Sequence, residues 1–228
     1  MRRTLAALVI CLAFAATAAA RQEQAKPRPT PPPKPVELAD PHAGHHMPEQ
    51  AQTQPESAAQ KWFSDVELLD QDGRKVRFYT DLLKGKTVVI SAFFTTCTSV
   101  CPPMNRNLEK VQEALGDRLG KDVFIVSVSV DPANDTPTRL KEYAQRFHAK
   151  PGWSFLTGKK ENVDWALYKV GQYIENKDDH TTVIIIGNEA TGLWKKALGM
   201  AKPSELIPIV YSVANDNGEG SDAKGGSQ

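Results

Sequence analysis

Two apolar runs, residues 87–94 and 123–130, constrain the fold of this chain more than any other feature. Each has the length of one strand, is rich in Val, Ile and Phe, and reads as a strand covered on both faces. A sheet built from such strands needs helices on both sides. Helical spacing follows each run. After the first come Met104, Leu108, Val111, Leu115 and Leu119, with Pro102 and Pro103 at the start; after the second, Leu140, Tyr143, Ala144 and Phe147 share a face behind Thr136 and Pro137. Residues 66–69, a turn at 70–73 and residues 76–79 read as an N-terminal hairpin. A short strand at 153–156, a helix ending at Gly171, a third apolar strand at 182–186, a strand at 193–198 and a helix from about Pro203 complete the order. Pro208 inside that last helix predicts a bend or an early stop. The expectation is an α/β domain with a central mixed β-sheet flanked by helices.

The two ends of the chain add nothing to this core. Met1, Arg2 and Arg3, an apolar run over 5–16 and Ala18 to Ala20 follow the order of a secretory signal, so residues 1–20 are expected to be a signal peptide removed after Ala20. An uncleaved anchor is the alternative, but the run is shorter than the ~20 residues that span a bilayer. Residues 21–60 hold nine of the sixteen prolines and almost no large apolar side chain, which reads as a Pro/His-rich disordered linker. Residues 61–213 are then the folded domain, and 214–228, rich in Gly, Asp, Ser and Asn, a disordered tail. A net charge of +1 over the whole chain gives no reason to propose nucleic acid or an anionic membrane as partner. Any membrane association would run through an uncleaved N-terminus.

Cysteine is scarce, with Cys11, Cys97 and Cys101 the whole supply. So few thiols exclude a multi-disulfide scaffold and a four-cysteine zinc ribbon. Cys11 leaves with the signal, and the bulky Ile10 before it argues against a lipid-attachment site. The remaining pair lies where a buried strand passes into a helix, at the carboxyl edge of the sheet where open α/β folds place ligands. Thiols in a first helical turn meet free N–H groups and the positive end of the dipole, so both are expected to be more acidic than usual. Two of them four residues apart suit a disulfide or a soft metal ion. A merely structural bridge is the weaker reading, because so short a loop constrains little of the unfolded chain.

Three motifs in order carry a resemblance. They are Cys97-x-x-x-Cys101-Pro102 after an apolar strand, Asp131-Pro132-Ala133-Asn134-Asp135-Thr136-Pro137 after the next, and Asp179-His180-Thr181 before a later one. With this set the chain resembles the Sco/SenC family from Trp62 to the last helix. The resemblance implies a thioredoxin-like fold, a place on the outer side of an inner membrane or in the periplasm, and copper bound by Cys97, Cys101 and His180. It also implies a role as a copper chaperone for the binuclear centre of cytochrome c oxidase. Its partners would be the oxidase's copper-binding subunit and another periplasmic copper chaperone or a thioredoxin-like reductant. The spacer Thr98-Ser99-Val100 lacks the acidic residue often found in the family, which bears on partner recognition. Donor chemistry agrees, since two thiolates and an imidazole suit Cu(I), with Cu(II) left open.

Other readings of the same residues are thiol–disulfide exchange and peroxidase chemistry. In the first, Cys97, the more exposed thiol at the loop, attacks and Cys101 resolves, the order reversing only if Cys97 proves buried. The second finds support in Thr98-x-x-Cys101-Pro102, but a peroxiredoxin pattern wants proline at position 94, which is Phe. A thioredoxin-type reductase also wants a proline before the strand at 182, where His180 stands nearby instead. Asp178 or Asp179 is a candidate to orient the His180 ring. His148 reads as a surface residue at a helix end facing its dipole. The 131–137 segment reads as strand end and N-cap, its carboxylates free to present charge to a partner. His42, His45, His46 and Met47 form a possible copper-collecting tract in the linker.

Overall fold

A computed structural model of the protein describes residues 58–63 and 65–219. The expected signal peptide, Cys11, the histidine tract and the end of the tail lie outside the described residues. Helix α1 (Ala58–Phe63) is followed by strands β1 (Glu67–Asp70) and β2 (Lys75–Arg77), a π-helical turn (Phe78–Leu83) and strand β3 (Thr87–Phe93). Then come α2 (Cys101–Leu115), β4 (Val123–Ser129), α3 (Pro137–Arg146), β5 (Trp153–Thr157) and α4 (Lys160–Lys169). A 3₁₀ turn (Lys177–Asp179), β6 (Val183–Asn188), β7 (Leu193–Leu198) and α5 (Pro203–Ala214) complete the chain. One sheet of seven strands runs β2-β1-β5-β4-β3-β6-β7. Strands β3, β4 and β5 are parallel, and β6 returns antiparallel beside β3.

Every residue of β3 is buried, as its unbroken apolar run requires. Val89 and Phe93 point into a core shared with α2, α3 and α5, while Val88, Ile90 and Ala92 point into a second core with α1, α4 and the π-helical turn. Two polar side chains in these layers are paired with each other: Ser91 Oγ lies 2.9 Å from Ser127 Oγ, which also accepts from Trp153 Nε1 at 3.0 Å. The sheet edges are short or charged, with three residues in β2 and Lys195 and Lys196 on β7, which discourages edge-to-edge pairing.

Local signals account for most element ends. The Asp70 carboxylate accepts from the Asp72 and Arg74 backbone N–H groups and Gly73 sits at φ +77°, which closes the hairpin turn. Thr136 caps α3 by accepting from the Arg139 N–H, with Pro137 in the first turn. Helix α2 stops at Leu115, short of Leu119, because Gly116 takes φ +51° and starts a new turn. Helix α1 was not foreseen, and it begins inside the segment read as linker. Strand β2 is shorter than expected, since Phe78 and Tyr79 belong to the π-helical turn. Pro208 does not stop α5, which runs on to Ala214. Its ring lies on the exposed face, so the Ser204 carbonyl it leaves without a helical donor is open to water, while Leu206, Val210 and Val213 stay buried. Beyond α5 the chain stays attached for a few residues, Asn215 accepting from Arg118 at 2.7 Å.

Candidate metal centre

The strand directions decide where the site forms. Parallel β3 and β4 end at one edge of the sheet, and antiparallel β6 begins there, so the loops carrying Cys97, Asp131 and His180 meet although they are far apart in sequence. Cys97, Cys101 and His180 converge, with one potential ligand atom from each lying within 4.8 Å of the others. His180 Nε2 is 3.2 Å from Cys101 Sγ. Cys101 is the first residue of α2, and its backbone N–H points at Cys97 Sγ, 3.4 Å away. Both cysteines are buried and unbridged, Cys97 being 7% exposed and Cys101 fully enclosed.

The surroundings treat the two thiols oppositely. Burial raises the Cys97 pKa, but the Cys101 thiol and the backbone N–H groups of Cys101, Ser99 and Val100 all support its thiolate, so the net shift is downward. Cys101 does not follow the expectation drawn from its helical position. Burial pushes its pKa well above the ordinary thiol range, and hydrogen bonding to Cys97 adds to that rise. The amide groups of the first turn gather around one sulfur only.

His180 is set by its backbone neighbours. Its Nδ1 lies 2.9 Å from the Lys177 carbonyl, and its own N–H donates to the same oxygen at 3.2 Å. A carbonyl only accepts, so Nδ1 carries the proton and Nε2 keeps a lone pair directed toward the sulfurs. The expected acidic orienter is therefore replaced by a main-chain oxygen, while Asp179 is exposed. Phe94 meets the imidazole edge to face at 5.1 Å.

The 131–137 segment contributes more than a strand end and a cap. Asp135, fully buried, accepts from the Thr95 N–H at 3.1 Å, the Thr95 hydroxyl at 2.5 Å and the Ser129 hydroxyl at 2.5 Å, and so anchors the start of the cysteine loop. Asp131, 8% exposed, accepts from Asn134 and from Lys177 Nζ at 2.6 Å. These carboxylates are thus engaged inside the domain and do not face a partner, as had been expected of them. Burial raises the Asp131 pKa, but Lys177 and Asn134 outweigh it and hold the carboxyl below the usual range. Asn105, one turn after Cys101 and enclosed, donates to the Cys101 carbonyl at 2.9 Å and to the Tyr143 hydroxyl at 3.1 Å. His148 pairs with Glu109 of α2 at 2.6 Å; the contact with its own helix dipole is not what engages its ring. Sequence reasoning missed Asp135, Lys177 and Asn105 as supports. The one usable signal in the sequence was the place of Asp135, between an apolar strand and the Thr136-Pro137 helix start.

A seven-stranded mixed sheet flanked by helices, with a dithiol and an imidazole at one edge that could hold a metal ion, defines a thioredoxin-like domain. A sequence model of the SCO1/SenC family matches residues 53–213, and the chain belongs to that family. It is 34% identical over 118 residues to the SCO1 protein homolog of Bacillus subtilis, covering 50% of this chain and 60% of that one. The solved structure of BsSco, a member of the Sco family of cytochrome c oxidase assembly proteins in which a disulfide switch was identified, superposes with a TM-score of 0.56 at 27% identity, covering 67% of this chain and 92% of that one. Arabidopsis thaliana ScoI with copper bound superposes with a TM-score of 0.55 at 25% identity, covering 65% and 95%. The chain spans 46% to 60% of the length of the first curated relatives it matches.

Proposed function

We propose that this protein is an exported copper-binding chaperone which delivers copper during cytochrome c oxidase assembly, with Cys97, Cys101 and His180 holding the ion. The observation that carries this reading is the convergence of two sulfurs and one imidazole nitrogen within 4.8 Å. The donor set fits copper because thiolate is soft and a three-coordinate arrangement satisfies Cu(I). Nε2 is available without losing a proton. The Cys97 pKa is lowered toward the thiolate form, and coordination displaces the proton that Cys101 holds when metal-free. Delivery would pass the ion to the thiols of an oxidase subunit by ligand exchange. An outer-face or periplasmic location rests on the N-terminal signal pattern and belongs to the same proposal.

Titrating the reduced protein with copper tests it. One tightly held copper per chain, lost in His180→Ala, is expected; tight binding that survives this change would sink the three-ligand site.

A second reading, thiol–disulfide exchange, is favoured by the opposite shifts of the two thiols. The Cys97 thiolate would attack a partner disulfide and release one partner thiolate. Cys101 would then resolve the mixed disulfide, leaving a Cys97–Cys101 bridge and a reduced partner. The same chemistry would keep the oxidase's copper-ligating cysteines reduced. A measured potential within reach of exported thiol reductants supports cycling, and one below about −300 mV, where structural disulfides lie, argues against it.

A further inference from the structure

Lys177 touches the site in two ways that belong to different parts of one residue. Its carbonyl faces Nδ1 and the N–H of His180, at 2.9 and 3.2 Å. Its ammonium reaches across to Asp131 at 2.6 Å, on the loop that follows β4. The same ammonium lies over the Phe94 ring at 5.3 Å, and that ring meets His180 edge to face. The side chains differ in exposure, 36% for Lys177 and 10% for Asp131, so one end of the pair is fixed in the domain and the other partly wet. Asp131 is itself held by Asn134 through both oxygens, at 2.9 and 3.0 Å, and its N–H donates to Ser129 at 3.0 Å. Lys177 therefore joins a single 3₁₀ turn to a rigid anchor.

A turn of three residues has few bonds of its own to set the direction of a ring that follows it. Outer-shell partners orient a ligating histidine, and here the partner is a main-chain oxygen whose place depends on where the turn lies. We propose that Asp131 and Lys177 form a clasp that positions the His180 imidazole over the two thiols, which makes Asp131 a positioning residue although it is no ligand. This rests on the copper reading for its consequence, while the clasp itself is defined without metal. Breaking the ion pair leaves the Lys177 carbonyl in the chain but frees the turn to swing, so the loss falls on the third ligand alone.

The test uses the full reduced chain and four variants: Lys177→Met, Asp131→Asn, Lys177→Arg and His180→Ala. Copper affinity is read by chelator competition with Cu(I), and ring order of metal-free His180 by side-chain nuclear relaxation. Lys177→Met and Asp131→Asn are expected to weaken copper by about tenfold, the lower end of what outer-shell partners contribute. Both should also loosen the ring, while Lys177→Arg keeps both readings near the parent. In a His180→Ala background Lys177→Met should change the affinity no further. A loss of equal size in that background, or a ring as ordered in Lys177→Met as in the parent, overturns the clasp. If the parent chain takes up no copper, the chaperone reading falls and the relaxation measurement still decides the clasp.

Discussion

Cys97 and Cys101 lie four residues apart, yet one sulfur receives three backbone N–H groups while the other is sealed between α2, Phe94 and the sheet. Helix position alone does not separate them; burial and the direction of the amides do. Chemical labelling should therefore discriminate. With limiting iodoacetamide, peptide mapping is expected to find Cys97 modified well before Cys101, with a rate that rises at lower pH than for an unperturbed thiol, since backbone N–H groups lower its pKa while burial raises that of Cys101. Equal labelling of both residues would contradict the asymmetry. His180 adds a different kind of control. Because a carbonyl holds its Nδ1, the backbone aims its Nε2 at the sulfur of Cys101.

At the scale of elements, the loop between β3 and α2 is held from outside itself. Asp135 accepts two hydrogen bonds from Thr95, 40 residues away, and a third from Ser129 at the end of β4. Asp135→Ala leaves the buried Ser129 hydroxyl and the part-buried Thr95 N–H without their acceptor, which costs about 1–3 kcal/mol. Urea unfolding should show that loss, and copper affinity should fall with it, whereas Asp135→Asn should recover part of both. A variant as stable as the parent would show that the loop holds itself. The same element explains what could be read in advance. Thr136-Pro137 and the apolar runs at β3 and β4 act on neighbours a few residues off, so α3 and the central strands were legible in the sequence, and motifs that resemble a family pointed to Cys97, Cys101 and His180, which the structure brings together. Asp135 to Thr95 and Asp131 to Lys177 act across 40 and 46 residues, and no local pattern announces a partner that far away. Helix α1 carries little periodicity in six residues, and Pro208 was misjudged because sequence does not say which face of a helix meets water.

For the whole molecule, the Asp131–Lys177 pair makes folding sensitive to acid. The Asp131 pKa is lower folded than unfolded, so its contribution is complete above the ordinary aspartate value of about 3.9 and is lost as pH falls through the lower folded value. Urea midpoints measured from pH 5 down to pH 2 should drop more steeply for the parent than for Asp131→Asn; parallel curves would show the pair to be silent. The topology has a further consequence in time. Cys101 and His180 stand 79 residues apart and meet only because β6 docks beside β3. On the copper reading proposed above, a chain still folding presents two thiols but no complete ligand set, so capture of the ion would follow the slowest long-range pairing in the sheet. On that same reading β6 of a loaded chain would not peel away without stripping a ligand from the ion, and the lifetime of the native state would be tied to whether its cargo has been handed on.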